Sequence, residues 1–209
     1  MSSENSLPTI RCERGIFGDI AAGPGFIPWS GIQPVQLLET VTGALPEQAT
    51  RLRVGWSESE LRLLFECDDR EPWATLTARD APLYTEEVVE VFRDPVGDLE
   101  SYFEIEVNPL NAVCDLVLRR NRSGYAKNFA WNCEGLQTAV RRTTTGWNAE
   151  LAIPFSEVAG EAPISGTRWR ANFFRIDRPP GRERELSSWS PTSLPQFHVP
   201  ARFGWLDFI

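Results

Sequence analysis

The chain is poor in the residues that most enzyme signatures require. It has one histidine, His198, and one methionine, Met1. No G-x-S-x-G, H-E-x-x-H or P-loop pattern occurs, so the nucleophile-elbow, zinc-protease and phosphate-cradling chemistries lack their motifs. His198 has no nucleophile at a recognisable spacing and reads as a hydrogen-bonded loop residue. The four cysteines, Cys12, Cys67, Cys114 and Cys133, form no C-x-x-C pair, and no second histidine exists to complete a zinc site. Cys67 and Cys114 fall inside apolar strand patterns, which predicts buried free thiols. No apolar run is long enough to span a membrane, and the opening MSSENSLPTI has neither a basic n-region nor an apolar h-region. The expectation is a cytoplasmic protein, or an extracellular or periplasmic one if a leader has been removed. A formal net charge of −8 with no basic stripe argues against a nucleic-acid partner. Basic residues do gather at 119–122 and 175–184, and the second group is interleaved with acids, as in a solvated loop.

What the chain has is aromatic residues and strands. Eight tryptophans and twelve phenylalanines exceed what a core of this size needs, so some are expected at the surface, where sugar-binding proteins use them. Alternating or apolar runs recur at Val35–Thr42, Arg51–Trp56, Leu61–Cys67, Glu87–Arg93, Ser101–Asn108, Ala112–Arg119, Leu136–Arg142, Trp147–Ile153, Trp169–Asp177 and Phe203–Phe208. Turn residues separate them every eight to fifteen positions, the pattern of a sandwich. Pro154–Val158 is the one helical turn, and there is no heptad or internal repeat. The reading is all-β: one antiparallel, jelly-roll-like β-sandwich domain over 1–209 with minimal helix, its residues 1–27 an irregular N-terminal segment. Trp29 is expected to plug one end of the core.

The stretch from Pro82 to Asn111, PLYTEEVVEVFRDPVGDLESYFEIEVNPLN, organises the rest. In its second strand Phe103, Ile105 and Val107 alternate with Glu104, Glu106 and Asn108, so one face is apolar and the other carries acids and an amide. That polar row is either an ordinary solvated sheet face or the floor of a site, with Tyr84 placed to overhang it. An aromatic residue, acids, V-E-V-F, a turn and F-E-I-E-V-N together resemble the core signature of family 9 carbohydrate-binding modules, in particular diverged bacterial members. Trp29, Leu61–Asp69, GWNAELAIP at 146–154 and the ending SSWSPTSLPQFHVPARFGWLDF follow in the family's order, from Pro28 to Phe208.

The resemblance implies a non-catalytic module binding an oligosaccharide or polysaccharide, with two aromatic side chains clamping the terminal sugars. The clamp positions are Tyr84 and Phe197, where the family has tryptophans. The polar contacts map to Glu90, Glu106 and Asn108, and Glu106 stands where characterised modules use arginine. Trp73 and Trp189 are the alternative stacking residues. The alternative function is a sandwich of this kind that has lost sugar binding and serves as a protein-interaction or structural domain. The family's calcium ions are structural, and Asp68, Asp69 and Glu71 are the hard ligands the chain could offer; a solvated acidic turn is the competing reading. Glu104 with Glu106 superficially matches the carboxylate pair of a jelly-roll glycosidase, but the sequence identifies no desolvating environment to raise the acid's pKa. A related sandwich group binds haem through methionine, which Met1 alone does not provide.

Overall fold

The computed structural model describes residues 7–20 and 29–209. Its strands in chain order are β1 (Thr9–Arg14), β2 (Val35–Gln36), β3 (Leu38–Glu39), β4 (Thr50–Trp56), β5 (Glu60–Asp68), β6 (Val88–Asp94) and β7 (Ser101–Val107). There follow β8 (Val113–Asn121), β9 (Gly124–Asn128), β10 (Gln137–Arg142), β11 (Gly146–Pro154), β12 (Arg168–Asp177), β13 (Glu185–Ser188) and β14 (Gly204–Phe208). The single helix among the described residues is one turn, α1 (Phe155–Val158), where the sequence places it.

These strands form the two layers of a sandwich. One layer runs β10-β11-β5-β4, with β2 beside β4; the other runs β14-β12-β6-β7-β8-β9, with β13 on β12 and β3 on β13. β1 joins them. Thr9–Cys12 pair with β14 and Glu13–Arg14 with β4, both in parallel, so the otherwise antiparallel sandwich carries one strand of opposite sense that changes layers along its length. This corrects the irregular reading of residues 1–27 at positions 9–14. Only Ile10 and Cys12 of β1 point inward, and two apolar residues among arginines and a glutamate are too few to register as a strand pattern.

Further differences are local. Val35–Thr42 is broken into two two-residue strands, Trp73–Ala78 has no regular structure, and β9 and β13 arise in segments that look like polar loops. Of the segment 1–27 expected to be irregular, residues 1–6 and 21–27 lie outside the described residues. Trp29 is buried with Ile32 and Leu64 in a small satellite cluster rather than at the end of the main core.

The main core lies between the layers. Leu52, Val54, Leu63, Phe65, Trp147 and Leu151 face Val89, Val91, Ile105, Val107, Phe173 and Leu206. Phe65 meets Phe173 edge-on across the gap at 6.4 Å between ring centroids. A second apolar cluster covers the opposite face of the β12-β6-β7-β8 layer. It is made of Leu83, Phe92, Tyr102, Leu116, Phe174, Phe197 and Phe203, among others. That layer is therefore covered on both faces, and every residue of β6 is buried. The polar row of β7 is not a solvated face.

One ion-pair network ties the layers together. Arg175 of β12 donates to Asp68 O at 2.8 Å and Asp69 Oδ2 at 2.8 Å at the end of β5, and to Thr50 Oγ1 at 3.3 Å on β4. Trp147 Nε1 also donates to Asp69 Oδ2, at 3.2 Å. A guanidinium this desolvated depends on acceptors for its terminal nitrogens, and both have them, although its Nε has none.

Candidate functional site

The turn between β6 and β7 fixes the register that builds the site. Asp94 Oδ1 accepts from Val96 N and Gly97 N, at 3.1 and 2.6 Å, and its Oδ2 accepts from Leu99 N at 2.8 Å. Gly97 and Leu99 adopt the left-handed conformation the tight turn requires, with φ of 78° and 64°. With that turn closed, Glu90 stands directly opposite Glu106 and Phe92 opposite Glu104. Three carboxyl groups thus share one patch of sheet, because residues two apart on a strand and directly opposed residues project from the same side.

A groove of about 300 Å³ opens above this patch, lined by Tyr84, Glu90, Glu104, Lys127, Phe197 and His198 among other residues. Tyr84 comes from a single 3-10 turn, Leu83–Thr85, whose Leu83 is fully buried and plugs the second core. The loop leading to it is held by Glu86, which accepts from Thr75 N at 2.7 Å and Leu76 N at 3.1 Å. Tyr84 itself is 48% exposed, and Lys127 Nζ of β9 lies 5.9 Å from its ring centroid. Phe197 is only 7% exposed and stacks on Phe174 at 4.2 Å, with 21° between the planes. One wall of the groove is therefore a free ring and the other is the edge of a packed one.

The floor is electrostatically unusual. Burial pushes Glu90, Glu104 and Glu106 above the ordinary carboxyl range. Their mutual repulsion raises Glu90 and Glu106 further, while Lys127 draws all three back down. Glu104 and Glu106 are hydrogen-bonded to each other in the sense that leaves the proton on Glu106. His198 stacks on Phe92 at 5.2 Å, and its Nδ1 is 2.8 Å from Tyr102 Oη and 4.0 Å from Glu104 Oε2. Burial, then the charge of Lys127, lowers the His198 pKa to about 4. The imidazole is neutral at physiological pH and forms no ion pair with Glu104.

The structure thus brings Tyr84, Phe197 and Glu90 into one groove. Glu106 stands beside them, across from Glu90, but does not line the groove. Asn108 is a correction. Its Nδ2 donates to Leu76 O at 2.7 Å, and its Oδ1 accepts from Leu110 N and Ala112 N at 3.0 and 2.9 Å. The side chain closes the β7–β8 turn, is fully buried and does not line the groove. The alternative aromatics are also engaged elsewhere. Trp189 is buried against Phe173, so close to the backbone that a Cβ at Gly204 would fall 2.4 Å from its ring. Trp73 donates its indole N–H to Arg178 O. Lys127 and His198 line the groove without being singled out by the aromatic-and-acid pattern, and Glu104 lines it as a member of the polar row rather than as a mapped contact. His198 follows Phe197 directly, whereas Lys127 comes from a strand that reads as loop.

The acidic turn does not behave as a calcium site. Asp68 bonds Arg51 through both carboxylate oxygens, at 3.0 and 3.2 Å, and Glu71 is exposed. Asp69 instead meets Glu87 and Asp177, with one oxygen of each within 4.8 Å of the others. The Arg175 guanidinium is bonded to two of them, at 2.8 Å to Asp69 and 3.3 Å to Asp177. Burial, with a hydrogen bond to Asp69, pushes Glu87 up to about 9, so it is protonated. A divalent cation needs ionised oxygens and room; a neutral Glu87 and a resident guanidinium provide neither. The cluster fits an internal ion pair, not a structural calcium, for which Asp68, Asp69 and Glu71 were the ligands the sequence could offer against the competing reading of a solvated acidic turn. All four cysteines are buried and free, and burial pushes the Cys67 thiol up to about 12.

A two-layer β-sandwich with an aromatic-walled, acid-floored groove on one layer is the build of a small-ligand-binding module. The family model for carbohydrate-binding family 9 matches residues 42–208, and the chain belongs to that family. Solved structures share the fold. A candidate carbohydrate-binding protein from Bacteroides uniformis is 19% identical, with a TM-score of 0.78 over 98% of this chain and 100% of its own. A family 9 module from Caldicellulosiruptor kristjanssonii in complex with cellotriose is 15% identical, with a TM-score of 0.71 over 96% of this chain and 93% of its own. The same organism's module in complex with glucose is 16% identical, with a TM-score of 0.71 over 97% and 96%. No curated protein matches the chain.

Proposed function

We propose that the protein is a non-catalytic carbohydrate-binding module that holds one end of a glycan, or a short oligosaccharide, in the groove between Tyr84 and Phe197. The observation that carries this reading is the convergence of Tyr84, Phe197 and Glu90 from three separate segments on one groove. A pyranose has an apolar C–H face suited to the exposed Tyr84 ring and a hydroxyl rim suited to carboxylate acceptors. Glu90 and Glu104 bond the hydroxyls, and Glu106 tunes them from below. Family membership and the sugar-bound neighbours of the same fold support the reading.

The acids do not divide the labour of a glycosidase. That chemistry needs a protonated and an ionised carboxyl both facing the scissile bond, whereas Glu106, which keeps the proton in its bond to Glu104, does not line the groove. The experiment is a glycan array followed by calorimetry on the intact protein and on Tyr84→Ala. Binding of neutral oligosaccharides that weakens on truncating Tyr84 supports the groove. Failure of the folded protein to bind any saccharide at millimolar concentration would favour an interaction or structural domain instead. Uronic acids should bind more weakly than their neutral counterparts, because an anionic ligand meets Glu90 and Glu104 at close range.

A further inference from the structure

The groove floor holds more hydrogen-bond acceptor than the surrounding chain can satisfy. Glu104 is 2% exposed and lines the groove, yet its Oε2 has no hydrogen-bond partner; Oε2 of Glu106, one layer below, has none either. His198 Nδ1 lies 4.0 Å from Glu104 Oε2, beyond hydrogen-bond reach. A buried carboxyl oxygen left without a donor is costly, and here it faces a cavity rather than packed side chains. The three glutamates are not spaced for a metal ion. The one set of acidic groups that closes to ligand distance among the described residues is Asp69, Glu87 and Asp177, on the other side of the fold. The floor therefore suits a donor-rich guest of single positive charge.

Lys127 shows what kind of group satisfies this floor. Its ammonium lies over the Tyr84 ring and draws Glu90, Glu104 and Glu106 toward their charged forms. It does so from an exposed strand, largely in water. A ligand ammonium set between Tyr84 and the floor would do the same at closer range, offering three N–H donors where a hydroxyl offers one. It would also sit against the face of Tyr84 as a cation over an aromatic ring. Resting on the carbohydrate-binding reading above, we infer that the groove is specific for an amino sugar carrying a free, protonated amine, such as a glucosamine residue of an oligosaccharide.

The charged and titratable groups facing the floor are Lys127, Arg184, His198, Tyr102, Tyr84 and Cys114. Lys127 and Arg184 sit exposed at the rim, and His198 is neutral, so the ammonium's main partners are the glutamates themselves. Because burial raises these carboxyls and a cation beside them lowers them again, binding an ammonium should release protons. Affinity should therefore rise with pH for as long as the ligand amine stays charged.

The test is calorimetry of the intact protein with two disaccharides that differ at C2, the β-1,4-linked glucosamine dimer and cellobiose. Each is titrated in buffers of different ionisation enthalpy. The expected result is at least tenfold tighter binding of the amine dimer, with net proton release that cellobiose does not show. Glu104→Gln should collapse the ratio between the two ligands. Proton release by the unmodified protein is the independent readout if that variant does not fold. Cellobiose binding as tightly as the amine dimer, or no proton release, would overturn the amine specificity and leave sugar binding standing. Failure of the folded protein to bind either dimer, or any saccharide on the array, would overturn both.

Discussion

Tyr84 and Phe197 wall the same groove under opposite constraints, and this separates what each contributes. Tyr84 stands on a turn whose stability comes from its neighbours, buried Leu83 and hydrogen-bonded Glu86. Phe197 is part of the second core, stacked on Phe174. Tyr84→Ala should therefore weaken saccharide binding by about 1–3 kcal/mol, the range for losing a well-placed aromatic contact, and leave Tm unchanged. Phe197→Ala should lower stability by about 3–5 kcal/mol, as large-to-small changes of buried phenylalanine do; urea denaturation would show this before any affinity is measured. Equal stability loss in both variants would mean that Tyr84 is packed and not presented. Both positions were legible in the sequence as aromatics at family landmarks. Their difference in burial was not, because it depends on Phe174, a residue 23 positions away from Phe197 on a paired strand.

At the scale of elements, alternation was the dependable signal and coverage the hidden one. β7 could be read from Phe103, Ile105 and Val107 against Glu104 and Glu106, and the faces are as the pattern has them. Tyr84 could be placed over the acidic face, but nothing local indicates that residues 195–203 also fold back over that face and that it is dry. Strands without a period-two signature, β1 and β9, exist because neighbours pair with them. The link between elements that matters most is Arg175, which joins β12 to the end of β5. Its long aliphatic stem crosses the core, and its head meets Asp69 and Asp177. Arg175→Ala would leave those carboxylates buried without a cation. The expected cost is about 3–5 kcal/mol, measured as a shift of the urea midpoint. A loss below about 1 kcal/mol would show that the layers are held by apolar packing alone.

For the whole molecule, the buried acids set how stability follows pH. Glu87 is raised to about 9 by burial and Asp69. Asp177 is raised to about 6, chiefly by burial, and burial also lifts Glu90, Glu104 and Glu106. A raised carboxyl is protonated in the fold and ionised in the unfolded chain over the window from about 4.3 to its folded value. Within that window the folded state binds more protons, so stability falls as pH rises. His198 acts in the opposite sense. Its folded value of about 4 against an ordinary 6.5 makes stability rise with pH between those limits. In Glu86 the upward push of burial is outweighed by bonds from Thr75 and Leu76, so its contribution is lost only as pH falls below its ordinary value of 4.5. Below pH 6.5 these trends compete. From pH 6.5 to 8.5 the His198 and Asp177 windows have closed, while that of Glu87, raised to about 9, is still open. Thermal denaturation should accordingly show Tm falling steadily across that interval. Glu87→Gln keeps a donor for Asp69 without a proton to lose, so it should flatten the decline and exceed the unmodified protein in Tm at pH 8.5. A Tm that is level or rising from pH 6.5 to 8.5 in the unmodified protein would mean that Glu87 and the groove acids are ionised in the fold.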